Sequence, residues 1–411
     1  MTIPFPTSAG TFVLLGALML MPGKPACAEF EPNKGWSGHL FPSFIVATAT
    51  MKVPEPEDDD TDSEVEVLGD KRGLLGVTLE ADEDDQEVTV TISCDAIMEP
   101  SEFTCTLSEA GETYLVNPKI KYKYDKLTKH TQTGPITVTY KVEIGDEVEE
   151  QTEVLTLRTI NDCPFSLVKD GVWTSIRFMF TAYVNEQHPF VDKILREALD
   201  TGIVDSFSGY QAKESTEVYR QAYALWHVMS NRDVRYSSVT KSAAISDTVG
   251  SQHIRLLDES INNGQANCVD GSALFASLLR KINIEPMLVH VPGHCYLAFY
   301  LDAEGKELTA LETTMIGSLI EGEALKVGGL EDVVDEEAQA ENSWKTFAAA
   351  IAHGTAHLKK HEKEFRDPKN GDYSMISISA ARKAGILPIG FKSNQKLIEA
   401  PQAEEEEEET E

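Results

Sequence analysis

Basic residues are scarce in this sequence. Its 411 residues include 36 Lys and Arg against 68 Asp and Glu, which gives a formal net charge of −32 at pH 7. Proteins that bind nucleic acid neutralise phosphates with a concentrated basic surface, so this composition argues against nucleic acid as a partner. The acidic residues form runs, which repel themselves and favour solvated linkers and tails. These runs are Glu55–Asp62, Asp82–Asp85 and Glu404–Glu409.

Apolar runs long enough to cross a bilayer as a helix are also lacking. The apolar segment Thr11–Met21 has the length of the central region of a signal peptide, and Ala26-Cys27-Ala28 fits a cleavage site before Glu29. No Lys or Arg precedes this segment, although signal peptides usually carry one there. We expect a signal peptide over residues 1–28 and an exported protein (periplasmic, on the cell surface or secreted) with no integral membrane segment after cleavage.

Cysteines are few, and one of the six, Cys27, lies in the predicted signal peptide. A lipid anchor on Cys27 is disfavoured, because Lys24 occupies a position where an aliphatic residue is expected. The odd number left after cleavage indicates at least one unpaired thiol in an exported protein. Cys94 and Cys105 bracket a turn-rich stretch, and two interpretations stay open: a disulfide that staples a hairpin, or two independent buried cysteines.

Residues 76–160 show the alternation of apolar and polar residues that is typical of β-strands. Ile136 to Ile144 alternate over nine positions and are followed by a Gly-Asp turn, and shorter runs precede and follow them. Several short strands with Gly, Pro and Asp between them predict an all-β, sandwich-like domain. Residues 29–75 are poor in regular pattern and predict an acidic linker or lead segment.

Helical periodicity begins after Asn161, and we find no internal repeat. Val191–Leu199 and Val218–Met229 predict amphipathic helices. A second domain is therefore expected to follow the first, with an acidic disordered tail over residues 392–411.

A cysteine, a histidine and an acid stand in sequence near the starts of three consecutive elements. The turn-rich loop Asn262–Asn267 leads into Cys268, after which apolar residues recur at helical spacing. Pro292 and Gly293 turn the chain, and His294 opens an apolar strand. After a hairpin-type turn, a third strand contains Glu312.

These residue types in this order suit nucleophilic chemistry. A thiol becomes a good nucleophile when it loses its proton, which the positive end of a helix and a neighbouring imidazole both promote. His294 would take the proton of Cys268 and return it, and Glu312 would orient the imidazole. Backbone N–H groups in the turn after Cys268 would face a developing oxyanion. Two interpretations of Gln265 stay open: an auxiliary donor to that oxyanion, or a solvated loop residue.

The pattern resembles the core of the transglutaminase-like superfamily, and most closely bacterial transglutaminase-like proteins. The matching segments are Asn267–Gly271 with the following helix, Pro292-Gly293-His294, and Leu311-Glu312-Thr313. The resemblance strictly covers residues 251–317 and extends more loosely over residues 166–391. It implies an α+β, cysteine-protease-like (papain-like) domain over residues 166–391, with Cys268, His294 and Glu312 as catalytic triad. This chain departs from the family in two ways: the acid is usually Asp, and a bulky aromatic often stands where this chain has Val269.

Two functions are consistent with the sequence. One is thiol-dependent acyl transfer on a protein or peptide substrate, by amide hydrolysis or transamidation. The other is a non-catalytic surface or binding protein built on an inactive fold of the same type. No cofactor is expected, and no EF-hand-type loop indicates calcium.

Three histidines lie at helical spacing downstream of this pattern. Residues 343–365 predict a helix on which His353, His357 and His361 follow one another at i, i+4. Because neighbouring lysines suit a solvated face, we expect no metal site there.

Overall fold

The protein has a mixed α/β fold with many strands in several sheets. The computed structural model describes residues 29–51, 65–169, 171–238, 246–367, 370–390 and 396–401. These residues form 19 strands in five sheets, ten α-helices and two 3₁₀ helices. The predicted signal peptide lies outside the described residues. None of the described helices is long and apolar enough to cross a membrane.

The strands are β1 (Phe30–Asn33), β2 (His39–Leu40), β3 (Glu66–Gly69), β4 (Gly76–Glu80), β5 (Gln86–Cys94), β6 (Met98–Leu107), β7 (Thr113–Asn117), β8 (Lys121–Tyr122), β9 (Gly134–Ile144), β10 (Glu147–Leu157), β11 (Asp162–Lys169), β12 (Val172–Ser175), β13 (Arg235–Tyr236), β14 (Val249–His253), β15 (Gln265–Ala266), β16 (Pro286–Val291), β17 (His294–Tyr300), β18 (Leu308–Leu311) and β19 (Ser374–Ser377). The α-helices are α1 (Pro42–Ala47), α2 (Tyr124–Leu127), α3 (Pro189–Asp200), α4 (Ser215–Asn231), α5 (Leu257–Asn262), α6 (Cys268–Lys281), α7 (Glu336–Ala340), α8 (Asn342–Lys360), α9 (Glu362–Phe365) and α10 (Ile378–Lys383). The 3₁₀ helices are Arg177–Tyr183 and Thr313–Met315.

Two sheets dominate the first 160 residues. One has the strand order β1-β4-β7-β3 and the other β2-β10-β9-β5-β6-β8. The alternation read from the sequence is confirmed in β5, β9 and β10, where buried and more exposed residues alternate as the pleat requires. The inward-facing residues of both sheets belong to one hydrophobic cluster, so apolar burial holds the sheets together.

Residues 29–51 of the predicted lead segment are part of the fold, which corrects the interpretation of this stretch as a linker. Strand β1 pairs antiparallel with β4, and β2 pairs in parallel with β10. Phe30 and Leu40 are buried, and the hydroxyl of Ser43 donates to the carbonyl of Asp162 at 2.5 Å. Strands of four and two residues are too short to give a recognisable alternation, which is why the sequence did not reveal them.

The structure rules out the proposed hairpin staple between Cys94 and Cys105. Both cysteines are free, and they lie at opposite ends of the β5–β6 hairpin: Cys94 is paired with Met98, whereas Cys105 is paired with Val88. Six residues of strand separate the two positions, about 20 Å at the rise of a β-strand. Disulfide-linked Cα atoms lie within about 7 Å of each other.

A four-stranded sheet with helices on both faces forms the centre of the second half of the chain. Its order is β18-β17-β16-β19, with all neighbours antiparallel. Helix α6 packs against β16 and β17, and α8 packs against β17 and β18. Alternate residues of the strands therefore face two separate apolar layers, one containing Leu288 and Leu297, the other containing Val289 and Tyr296.

Helix α4 packs its apolar face against α6 and α8, and its apolar periodicity predicted an amphipathic helix here. Trp226 is fully buried and its indole N–H donates to the hydroxyl of Thr346 in α8 at 3.0 Å. Its ring lies 5.2 Å from that of Phe275 in α6. One side chain thus joins α4, α6 and α8.

Part of the predicted acidic tail is docked on the protein. The side-chain amide of Asn262 donates to the carbonyl of Lys396 and accepts from the N–H of Ile398, at 3.1 and 3.0 Å. Arg232 donates to the carbonyl of Ile398 at 2.8 Å. These bonds use the backbone of the tail, so no sequence pattern predicted them. The poly-Glu run lies outside the described residues.

Packing of the lead segment can be tested with adjacent substitutions in β1. Phe30→Ala should lower the free energy of unfolding by about 3 to 5 kcal/mol, because it removes a buried aromatic side chain. Glu31→Ala, one residue along and exposed, should change it by about 0.5 kcal/mol or less. Urea denaturation measures both. Equal effects of the two substitutions would show that the segment is not packed on the sheets.

Candidate active site

The first turn of α6 presents Cys268 at the positive end of the helix. Asn267 caps the helix: its side-chain oxygen accepts from the N–H groups of Val269 and Asp270, both at 2.9 Å. Asn267 is a preferred capping residue because it satisfies N–H groups that have no partner within the helix. The cap fixes the backbone of Cys268, which is half-buried at the first helical position.

A buried carboxylate holds this turn from the other side. Asp270 accepts from the N–H of Asn267 at 2.9 Å, from the N–H of Arg255 at 2.9 Å and from the guanidinium of Arg255 at 2.8 Å. Burial raises the pKa of Asp270, although these hydrogen bonds and the charge of Arg255 act against the shift. Asp270 thus ties the loop before Cys268 to the segment before α5.

The cap changes which N–H group is available near the thiol. The sequence predicted oxyanion donors in the turn after Cys268. In the structure, however, the N–H groups of Val269 and Asp270 donate to the side-chain oxygen of Asn267. The N–H of Gly271 donates to the Asn267 carbonyl. The N–H of Cys268 itself makes no hydrogen bond with any described residue. The group that can face an oxyanion is therefore the N–H of the cysteine.

A tight hairpin brings His294 to the site. Strands β16 and β17 pair up to Val291 opposite His294, and the turn between them uses Gly293 with φ of 71°. This left-handed conformation suits glycine, which has no Cβ to clash. The turn starts β17 at His294, as the sequence predicted.

Glu312 lies just past the end of β18 and caps the following 3₁₀ helix. The sequence placed it within the strand, which instead ends at Leu311. One carboxylate oxygen, Oε2, is 2.7 Å from Nε2 of His294. The other, Oε1, accepts from the N–H and hydroxyl of Thr314, at 3.2 and 2.7 Å. Its backbone N–H donates to Ala350 in α8 at 3.0 Å. Four contacts fix this side chain and its backbone.

The nucleophile helix and the Glu312 segment touch through Gly271. A Cβ at this position would lie 3.1 Å from the hydroxyl oxygen of Thr313, which is closer than most side-chain contacts. The hydroxyl of Ser272 also lies 3.3 Å from that oxygen and donates to the Cys268 carbonyl at 2.7 Å. Glycine at 271 therefore permits the close approach of the two segments.

Electrostatics favour a protonated His294. Its hydrogen bonds to Cys268 and then to Glu312 raise the pKa of His294 to about 10, although burial acts in the opposite direction. Because Glu312 binds Nε2, Nδ1 is the nitrogen that remains for the thiol. Burial would raise the pKa of Glu312, but the hydrogen bond from His294 lowers it below its ordinary value. The structure brings Cys268, His294 and Glu312 together as the sequence predicted.

Gln265 lies three residues before Cys268, at the surface of the protein. It is exposed in β15, where it is paired with Arg235 of β13, and lines a surface groove of about 530 Å³. Its side chain makes no hydrogen bond to Cys268 or His294 in the described part of the chain. Its role as an oxyanion donor stays a prediction.

Tyr236 is a site residue that sequence reasoning missed. It pairs with Ala266, two residues before Cys268, and is 45% exposed. Burial raises the pKa of the Tyr236 phenol, and the charges of Cys268 and Glu312 raise it further, so the phenol lies near both groups. No sequence signal could have found it, because the pairing of two-residue strands brings it there.

The neighbouring cysteine and histidine on these strands face the interior. Cys295 is buried, and burial raises the pKa of its thiol well above the ordinary value. His290 is buried as well, and burial lowers its pKa to about 3. Both side chains therefore lie in the interior of the protein.

The three helical histidines differ from one another in the structure. His353 is exposed, whereas His357 and His361 are half-buried with ring centroids 5.0 Å apart. The ring of His357 also contacts those of Tyr296 and His294, so the expectation of a solvated face is wrong for this residue. Across the described residues, no group of three or more His, Cys, Asp or Glu side chains could hold a metal ion.

No protein-family model matches the chain, and no curated protein is significantly similar to it.

The protonation of His294 can be measured directly. Its imidazole should keep its proton through neutral pH and release it near pH 10, whereas Glu312→Gln should lower this pKa because it removes the carboxylate. NMR titration of the histidine rings measures both. His290 provides an internal contrast, since it should stay neutral above about pH 4.

The same shift predicts how stability depends on pH. The pKa of His294 is raised from its ordinary value of 6.5 to about 10, so its protonated form stabilises the fold. This stabilisation is complete below pH 6.5 and is lost as the pH rises to about 10. The stability difference between the wild type and Glu312→Gln should therefore shrink between neutral pH and pH 10. Titration of His294 near 6.5 in both proteins would contradict the assignment.

Proposed function

We propose that this protein is a thiol-dependent acyl-transfer enzyme that cleaves peptide or side-chain amides through Cys268, His294 and Glu312. The observation that carries the proposal is the 2.7 Å hydrogen bond between His294 and Glu312. The raised pKa of the same imidazole, to which the Cys268 thiol contributes, supports it. A chain of thiol, imidazole and carboxylate is the arrangement that activates a cysteine for nucleophilic attack.

In the proposed reaction, the proton of the Cys268 thiol resides on His294, and the thiolate attacks the carbonyl carbon of the substrate amide. The carbonyl π bond breaks, and the negative charge on its oxygen is stabilised by the N–H of Cys268. The intermediate collapses with cleavage of the C–N bond, while His294 donates its proton to the leaving amine. A thioester on Cys268 and a free amine or ammonia result.

The second half of the reaction releases the acyl group. Neutral His294 takes a proton from water as the oxygen attacks the thioester. The C–S bond then breaks, the acid leaves, and the pair of thiolate and protonated His294 is restored. An amine in place of water would give a new amide. Hydrolysis is favoured, because cross-linking requires water to be excluded and the His294 side chain is 26% exposed.

The extra methylene of Glu312 relative to the usual family Asp is accommodated in this geometry. Its longer side chain spans from His294 to Thr314, so the carboxylate is fixed at both oxygens. Val269, where the family often has a bulky aromatic, is buried in the core. Neither departure removes a group that the proposed reaction uses.

We further propose that the site belongs to a transglutaminase-like domain over residues 166–391, preceded by a β-sandwich-like domain in an exported protein. Supporting this, a helix beginning at a cysteine, a strand beginning at a histidine and an acid after the next strand occur in the order of that family. The two sheets of the first half share one apolar cluster, which suits a sandwich.

Alkylation kinetics test whether the pair is active. Brief iodoacetamide treatment at neutral pH should give one adduct, on Cys268, seen by mass spectrometry of the intact protein and its peptides. His294→Ala should slow this by about 10- to 100-fold, because an ordinary thiol is only a few per cent ionised at neutral pH. His353→Ala, an exposed histidine of the same half, is the matched control and should react as the wild type does.

The other cysteines provide a background for this experiment. Cys94, Cys163 and Cys295 are buried, and burial raises the pKa of half-buried Cys105 to about 11, so all four should react slowly. Equal alkylation of Cys268 in the wild type and His294→Ala would overturn the proposal. The protein would then be better described as a non-catalytic binding module.

A further inference from the structure

Three aromatic rings contact one another on the face of the central sheet that is turned towards α8. The rings of His294 and Tyr296 are stacked, with centroids 5.9 Å apart and planes at 26°. The rings of Tyr296 and His357 are stacked as well, at 5.3 Å and 26°. His357 also lies 6.2 Å from His294, with planes at 35°. A histidine of α8 therefore reaches the proposed base of the reaction both directly and through a tyrosine.

The ring of Tyr296 is held by packing rather than by its hydroxyl group. Its side chain is fully buried, and its hydroxyl makes no hydrogen bond with any described residue. Aromatic rings with centroids about 4.5 to 7 Å apart attract one another beyond the effect of burial. Since the ring of His357 contacts both Tyr296 and His294, removing it would leave both rings without that packing contact.

We propose that His357 is a positioning residue for His294: it packs against both Tyr296 and the imidazole and so fixes the plane in which His294 faces Cys268 and Glu312. The inference rests on the proposed function, because it assigns a role in keeping that imidazole aligned. We assign His357 no direct part in the reaction. Among the described residues, its ring contacts are with the rings of His294, Tyr296 and His361.

The charges around His357 are compatible with this role. Burial lowers the pKa of His357, and the charges of His361, His294 and Lys360 lower it further, while Glu312 opposes the shift. His361, Lys360 and exposed His353 lie on its own helix or at its end, His294 and the Tyr296 phenol come from β17, and Glu312 follows β18. His357 is therefore neutral at neutral pH and can lie beside a protonated His294 without repulsion between like charges.

The proposed role of His357 depends on its aromatic ring and not on its charge. Two substitutions at this position distinguish the two properties. His357→Ala should slow alkylation of Cys268 about tenfold or more, because small misalignments of a catalytic group are costly. His357→Phe keeps an aromatic ring and should restore the wild-type rate. His353→Ala, on the same helix, is the control for general damage, and thermal unfolding monitors the fold of each variant.

Two results would overturn the positioning role. One is a folded His357→Ala variant in which Cys268 is alkylated at the wild-type rate. The other is His357→Phe that is as slow as His357→Ala, which would show that the ring is not the feature that matters.

A titration tests the contact without relying on reactivity. In His294→Gln, the pKa of His357 should rise, because the positive charge of His294 that lowers it is removed. The NMR signal of His353 should not change. An unchanged His357 titration would contradict the contact.

The two assays also distinguish failure of the inference from failure of the proposed function. If wild-type alkylation does not depend on His294 while the titration of His357 still shifts, the proposed function fails, and the positioning role fails with it. If alkylation depends on His294 but His357→Ala reacts as the wild type does, the positioning role alone fails.

Discussion

The buried carboxylate of Asp270 is the constraint on which the candidate site depends. It accepts hydrogen bonds from the backbone on both sides of α5 and from the guanidinium of Arg255. Together with the Asn267 cap, it determines where the helix begins and therefore where the Cys268 thiol lies. A buried charge with one partner removed is strongly destabilising, so this cluster tolerates little change. The hydrogen bonds of Asp270 therefore fix the position of the Cys268 side chain.

The remaining members of the site are placed against this fixed turn by the central sheet. The β16–β17 turn places His294, and Glu312 is held by Thr314 on one side and by α8 on the other. Gly271 and Thr313 bring the two segments into contact. The second layer, formed by Tyr296 and His357, lies on the opposite face of the sheet from α6. Helices on both faces of one sheet therefore contribute to the alignment of a single imidazole.

The sequence predicted those parts of this arrangement that depend on local pattern. Cys268 before a helical periodicity, His294 after a Pro-Gly turn and Glu312 after a third apolar run were all recognisable, and the structure brings them together. Strands β5, β9 and β10 were predicted because long alternation is a strong signal. Features that depend on distant partners were not predictable: the contact of His357, the pairing that brings Tyr236 to the site, and the separation of Cys94 from Cys105.

Short or backbone-mediated elements were missed for a related reason. Strand β2 has two residues, and the segment at Lys396–Ile398 is bound through its main chain, so neither leaves a pattern of side chains. The acidic run near residue 55 led to the interpretation of the whole lead segment as linker, although Phe30 and Leu40 are core residues. The acidic composition of residues 29–75 as a whole hid the few apolar residues in this segment that are buried.

The central claim, that Cys268 forms a thioester, is tested most directly by trapping one. The protein would be incubated with a mixture of peptides containing glutamine and backbone amides, quenched in acid and examined by intact and peptide mass spectrometry. The account predicts an acyl adduct on Cys268 that hydroxylamine removes and that is lost in Cys268→Ala and strongly reduced in His294→Ala. An adduct that persists in Cys268→Ala, or none in a wild-type protein that alkylates rapidly, would contradict acyl transfer by this site.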